Sequence, residues 1–199
     1  MDISELKSYF DLFPDDVYCW IGGGAVRSLF DHSKTKDIDV FTSNHEDQQR
    51  IVNHLISSGA DHLQKMDIFD KFLISDTIRI DVFCEEEGEY GGSNPTDSVV
   101  WSDYTIASCA IDCDGVIYHH PDFIKDCLAK RLQYIGNDIT TSQAYSRPNR
   151  LRRFLNIGYE IDKENMLKLL DRMCVDKIPL RKERWKPIIN KFHVETKTC

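Results

Sequence analysis

No apolar run in this sequence approaches the ~20 residues that a membrane-spanning helix requires. The opening stretch, MDISELKSYF, is charged and amphipathic, and is not read as a secretory signal. The seven cysteines are odd in number, and no two stand in a CxxC pair. That argues against a disulfide scaffold and for reduced thiols in a cytosolic protein. Cys109, Cys113, His119 and His120 match no common zinc spacing. There is no Walker Gly-Lys-Ser/Thr, no GxGxxG, no repeat at solenoid period and no low-complexity segment. What these absences leave is a soluble, cytoplasmic chain. At 199 residues it can bury a core without disulfides and carry one domain plus an appendage.

A surplus of positive charge is also missing overall, since the net charge is -8. The total hides two halves. Residues 1–122 hold 8 Lys/Arg against 24 Asp/Glu, a net of -16, and residues 123–199 hold 17 against 9, a net of +8. A basic tail beside an acidic body suits a polyanion lying along the tail. A plainer reading is that the two halves attract each other.

Apolar spacing predicts a helix over 4–13, a strand over 17–21, a helix over 25–30, a strand over 37–41 and a helix over 45–57. Strands follow at about 60–66, 69–75 and 78–84, the last two as a hairpin. The acidic, glycine-rich EEEGEYGGSNP from Glu85 reads as a mobile loop. Residues 99–106 read either way. Asp114–Gly115 marks a hairpin between 108–113 and 116–119. From Asp122 onward the pattern reads as helices only: 123–135, 141–157, 163–174 and 181–193. Gly136 and Gly158 stand past the first two, and Asp162 is placed to cap the third. The expected fold class is α+β: a mixed β-sheet with flanking helices over residues 1–121, then a small all-helical region over 122–199.

Ile21 to Phe41, IGGGAVRSLFDHSKTKDIDVF, carries the chemistry. Asp37 and Asp39 stand two apart on a strand, so they share a face with their bases roughly 6.6 Å apart. Two such carboxylates repel unless a cation lies between them, and hard oxygen ligands suit Mg²⁺. Ile38-Asp39-Val40-Phe41 recurs verbatim at Ile80-Asp81-Val82-Phe83. If the two strands are neighbours, Asp81 joins the other two acids, and three carboxylates can hold two metal ions. The plainer reading is that some of these aspartates merely end strands. Gly22, Gly23 and Gly24 form a strand-to-helix turn that lets a ligand approach the backbone and offers an anion the helix N-terminus. Arg27, one turn in, can reach a phosphate or a carboxylate. The glycines also fit a tight packing corner. A phosphate cradle ahead of a carboxylate cluster is what phosphoryl or nucleotidyl transfer needs.

These residues resemble the nucleotidyltransferases of the DNA polymerase β superfamily, and within it the class II CCA-adding enzymes and bacterial poly(A) polymerases. The family's GGxVR, helix and DxD are matched by Gly23-Gly24-Ala25-Val26-Arg27 and Asp37-Ile38-Asp39, and its third carboxylate strand by Ile80-Asp81-Val82. RRDFTINA is matched in part by residues 101–108, where Trp101 and Ser102 replace the arginines and Asp103 remains. The neck motif EDPLRILRAIRF is matched by residues 146–154, with Ser146 and Arg147 in place of its acidic pair. The resemblance implies that Asp37, Asp39 and Asp81 bind two Mg²⁺. It implies that Gly23, Gly24 and Arg27 position the phosphates, and that Asp103, Arg150 and Arg153 contact the nucleoside. It also implies an NTP donor, CTP or ATP, and an RNA 3′ end as acceptor, tRNA first. The altered neck leaves the choice of nucleotide open. A protein or small-molecule acceptor, or a nucleotide- or RNA-binding module without turnover, stands as the alternative. Oligomeric state has no signature here.

Overall fold

The computed structural model describes residues 1–35, 37–66, 69–76, 78–84, 93–136 and 141–175, the side chains of 141–147 and 172–175 excepted. The expectations for the loop after Glu85 and for a helix over 181–193 fall largely or wholly outside these residues.

In chain order the elements are α1 (Ile3–Lys7), a 3-10 turn at Phe10–Leu12, β1 (Cys19–Gly22), α2 (Gly24–Asp31), β2 (Asp37–Thr42) and α3 (His45–Ser57). Then come β3 (Asp61–Lys65), β4 (Phe69–Ser75), β5 (Ile78–Cys84), α4 (Pro95–Val100), a 3-10 turn at Thr105–Ala107, β6 (Cys109–Asp112) and β7 (Ile117–His119). The remainder is α5 (Phe123–Leu128), β8 (Arg131–Leu132), α6 (Thr141–Asn156), β9 (Glu160–Ile161) and α7 (Lys163–Val175). The large sheet runs β3-β4-β5-β2-β1-β6-β7. Within it β2 and β5 are parallel and the other neighbours antiparallel.

Alternation decides which way each strand faces. Along β2, Ile38, Val40 and Thr42 are buried, whereas Asp37, Asp39 and Phe41 are half-buried. Ile38 and Val40, with Ile80 and Val82 of β5, pack in one cluster with Val26 of α2 and with Ile51, Val52 and Leu55 of α3. Helix α3 starts where its spacing predicts, because the Asn44 side chain accepts from the Asp47 amide at 2.8 Å. It stops before Gly59, whose φ is 85°. The opposite face of the sheet carries the acids. Over β1, β6 and β7 it is packed by α4, whose Val99 clusters with Trp20 and Ala110.

Two expectations are corrected. The N-terminal helix is two short pieces, α1 and the 3-10 turn. Ser8 bonds its hydroxyl back to the Glu5 carbonyl at 2.7 Å and ends α1, yet Leu6, Tyr9 and Phe13 are still buried. The helix expected over 123–135 ends at Leu128, so the region after Asp122 is not helical throughout. Lys130 takes φ 53°, and the chain beyond it extends as β8, pairing in parallel with β9. Asp103 and Thr105 need backbone partners, and this segment supplies them. The Thr105 amide donates to the Gln133 carbonyl, and the Ile135 and Gly136 amides donate to the Asp103 carbonyl. The sequence pattern stands for α6 and α7: Gly158 has φ 89° after α6, and Asp162 accepts from the Asn165 amide at 2.7 Å. No described helix is long and apolar enough to cross a membrane.

Candidate active site

The repeated tetrapeptide explains the site. β2 and β5 pair in parallel so that the two copies lie in register: Ile38 beside Ile80, Asp39 beside Asp81, Val40 beside Val82, Phe41 beside Phe83. Both copies therefore project Asp and Phe onto the acid-bearing face. Asp37 shares that face, opposite Arg79, and Lys71 of β4 stands opposite Asp81. The face carries parallel rows: Arg79 and Asp37, then Lys71, Asp81, Asp39 and Gly22, then Phe69, Phe83, Phe41 and Trp20.

The acids are not equivalent. Desolvation, then the neighbouring Asp81 and Asp37 charges, push Asp39 up to about 6, while Arg150 and Arg153 pull against that rise. Lys71 Nζ lies 2.9 Å from Asp81 Oδ2, and Arg79 Nε lies 3.4 Å from Asp37 Oδ1. Asp81 Oδ1 is buried and accepts no hydrogen bond. Three carboxylates share this face, one with an oxygen that accepts no hydrogen bond, and hard oxygen donors are the kind that suit a hard divalent cation. Among the described residues, no three His, Cys, Asp or Glu side chains stand together so as to hold a metal ion.

The glycine turn faces these acids. Gly22 lies beside Asp39 in the sheet. Gly23 has φ 62° and ψ -121°, a conformation that glycine alone adopts readily, and a Cβ there would lie 3.8 Å from Asp39 Oδ2. Gly24 opens α2. The Gly23 amide donates to the Cys109 carbonyl at 3.0 Å, and the Gly23 carbonyl accepts from the Arg27 amide at 3.0 Å.

Arg27 is turned toward a carboxylate. Its Nε lies 3.2 Å from Asp31 Oδ2, and its guanidinium carbon lies 5.1 Å from the centre of the Phe154 ring. The Asp31 side chain is wholly buried and also takes Tyr159 OH at 2.7 Å, Lys130 Nζ at 3.3 Å and the Ser33 amide at 2.9 Å. Burial works to raise Asp31, but the bonds from Ser33 and Tyr159 and the Arg27 charge outweigh it and hold the acid below its ordinary value. Asp103 is buried, with Arg150 Nη1 3.5 Å from its Oδ1. The exposed Arg150 and Arg153 lie close enough to Asp39 to act on its charge, so α6 brings its basic side toward the acids.

Asp37, Asp39 and Asp81 thus share one face with Gly23 against Asp39, and Arg150 and Arg153 lie near enough to act on the Asp39 charge, whereas Gly24 lies beside Arg27. Arg27 and Asp103 sit behind, each on an ion pair. Lys71, Arg79 and the Asp31 cluster are what sequence reasoning missed. The alternation of Phe69 and Lys71 was visible, but only the β4–β5 register sets Lys71 opposite Asp81.

A mixed sheet whose first strand turns through glycines into a helix, beside two parallel acid-bearing strands, is the nucleotidyltransferase-type fold. Among solved structures, the chain shares it with CCA-adding enzymes. A CCA-adding enzyme in its apo form matches with a TM-score of 0.64 and 15% identity, over 94% of this chain and 46% of that one. The Thermotoga maritima CCA-adding enzyme complexed with tRNA matches with a TM-score of 0.62 and 16% identity, over 98% and 47%. A tRNA nucleotidyltransferase complexed with a primer tRNA and an incoming ATP analog matches with a TM-score of 0.60 and 15% identity, over 96% and 60%. At these identities the likeness is one of fold, and this chain spans about half the length of those proteins. No protein-family model matches the sequence, and no curated protein does.

Proposed function

We propose that this chain is a metal-dependent nucleotidyltransferase that moves a nucleoside monophosphate from an NTP, CTP or ATP first, to an RNA 3′-hydroxyl, tRNA first, releasing pyrophosphate. The observation that carries the reading is the in-register Asp39–Asp81 pair, with Asp37 on the same face and the Gly23 turn against it. Asp37, Asp39 and Asp81 would hold two Mg²⁺, which supply neutralisation of the triphosphate and a lowered pKa for the acceptor hydroxyl. The glycine turn and the start of α2 offer backbone amides to the phosphates. Arg150 and Arg153 add positive charge over the nucleotide, and Asp103 holds Arg150 in place. The acceptor oxygen bonds to the α-phosphorus, its proton leaves by way of Asp81, and the bond to the β-phosphate's bridging oxygen breaks.

One observation favours the rival reading of a nucleotide-binding module without turnover: Lys71 and Arg79 already pair with Asp81 and Asp37. Each α-labelled NTP, incubated in turn with the protein, Mg²⁺ and total RNA or total protein, separates these. Label in RNA supports the proposal, and label in protein moves the acceptor. NTP binding with no label anywhere leaves the module.

A further inference from the structure

We infer that Asp31 is a positioning residue for the nucleotide: it holds Arg27 by one edge of the guanidinium and so aims the other edge at phosphates lying over the glycine turn. The inference rests on the nucleotidyl-transfer reading, which puts the triphosphate at the start of α2. Asp31 itself lies outside every motif of the resemblance, whose first motif ends its glycine turn at Arg27.

Arg27 and Asp31 stand one turn apart on α2, so their side chains share a face. Arg27 Nε donates to Asp31 Oδ2 at 3.2 Å. The Phe154 ring lies over the guanidinium, its centre 5.1 Å from the central carbon. A planar fork held at one edge by a carboxylate and on one face by a ring keeps a single orientation. Helical side chains lean toward the N-terminus of their helix. The far end of Arg27 does so, with Nη2 3.9 Å from where a Cβ on Gly24 would stand. Among the described residues nothing accepts from Nη1 or Nη2, and neither is a buried atom without a partner, so both reach solvent.

Joining one part of the fold to another accounts for the other bonds on Asp31. Tyr159 and Lys130 reach the same oxygen at 2.7 and 3.3 Å from the segments after α6 and α5. Those bonds also keep the carboxylate from turning away from Arg27. They do not account for the outer edge of the guanidinium, which is left at the first turn of α2 with its donors unused. Two cations on one wholly buried carboxylate leave a surplus of positive charge, and burial limits its screening. A phosphate at the start of α2 would meet that charge, the two terminal nitrogens of one fork and the unpaired first-turn amides together.

The test uses the full chain with Mg²⁺ and a fluorescent NTP analogue displaced by inorganic tripolyphosphate. Arg27→Lys keeps a cation for Asp31, but a lone ammonium cannot reach the carboxylate and a phosphate as a fork does. Arg27→Lys and Asp31→Asn are each expected to weaken tripolyphosphate binding about tenfold. The double variant should lose no more than Arg27→Lys alone, because both act through one guanidinium. Tyr159→Phe removes a bond from the same carboxylate and should leave tripolyphosphate affinity unchanged, whereas a purely structural Asp31 would make the losses follow stability. Chemical denaturation reports which variants are folded. Should Asp31→Asn not fold, nuclear magnetic resonance of the wild type decides: tripolyphosphate should shift the Arg27 Nη signals and leave its Nε–H protected from exchange. Wild-type affinity in either Arg27→Lys or a folded Asp31→Asn overturns the inference. So does an equal loss in Tyr159→Phe, an unprotected Nε–H, or a wild type that tripolyphosphate does not displace. If the losses occur while the wild type labels no RNA from NTP, the positioning role stands and the transfer reading falls. If the wild type labels RNA and the variants bind normally, the transfer reading stands and the positioning role falls.

Discussion

Asp39 and Asp81 lie side by side across the parallel β2–β5 pair, each in the same position of the same tetrapeptide. Parallel pairing of identical segments in register forces like side chains together, here two acids and then two phenylalanines. Burial, and then repulsion from the neighbouring Asp81 and Asp37, push Asp39 up to about 6. That repulsion is a cost to the folded protein.

The sign of the effect on stability follows from linkage. An acid whose folded pKa lies above its unfolded value contributes most below the unfolded value, near 4, and loses that contribution as pH rises through about 6. Asp39→Asn should therefore raise stability at pH 7.5 by on the order of 2 kcal/mol and change little at pH 4. Urea melts of both proteins at the two pH values check this, and a stabilisation equal at both would contradict the assignment. The same substitution, like Asp39→Ala, should abolish nucleotidyl transfer with the fold intact. Full activity in either variant sinks the metal assignment.

Metal affinity should carry the same pH signature. Protons compete with the cation for Asp39, so Mn²⁺ binding followed by electron paramagnetic resonance should weaken as pH falls through about 6. Binding that is level between pH 5 and pH 8 would place the metal elsewhere.

Gly23 and Gly59 make a matched pair. Both have positive φ, 62° and 85°, and the space at neither is crowded: a Cβ would meet Asp39 Oδ2 at 3.8 Å in one case and nothing within 4 Å in the other. Alanine at either should cost roughly 1–3 kcal/mol of stability through backbone strain. Only Gly23→Ala should also reduce NTP binding, measured by fluorescence titration, since only Gly23 lies at the acids.

Asp31 joins α2 to the segments that follow α5 and α6. Arg27, Lys130 and Tyr159 all meet on its buried carboxylate. Asp31→Ala strands two cations and should cost about 3–5 kcal/mol. Tyr159→Phe removes a single bond and should cost about 1 kcal/mol. Chemical denaturation of the two variants and of their combination tests the ordering. A loss in the double variant smaller than the sum of the single losses is expected, because both act on one carboxylate.

An RNA acceptor should leave an ionic mark. The net of +8 over residues 123–199 implies that affinity for a labelled tRNA transcript falls at least about tenfold between 50 and 200 mM salt. A flat response would count against RNA along that part of the chain.

Much of this was readable from local pattern. Alternation in DIDVF and IDVF marked two strands and told which residues share a face. The glycine run marked the turn, and apolar spacing with Gly59 at its end marked α3. Each of these signals acts over a few residues, within the reach of a turn or one strand. Tertiary structure alone decided that the two copies of the tetrapeptide are neighbours in register, which set three separate acids on one face of the sheet. It also set Lys71 and Arg79 against those acids, gathered Arg27, Lys130 and Tyr159 on Asp31, and drew residues 131–136 out of a helical pattern to satisfy the backbone at Asp103 and Thr105. Apart from Arg27–Asp31 within α2 and Lys71–Asp81 across one hairpin, those contacts join residues far apart in the chain. Their free energy comes from pairing buried charge and unsatisfied backbone groups, and neither is visible until the fold brings the partners together.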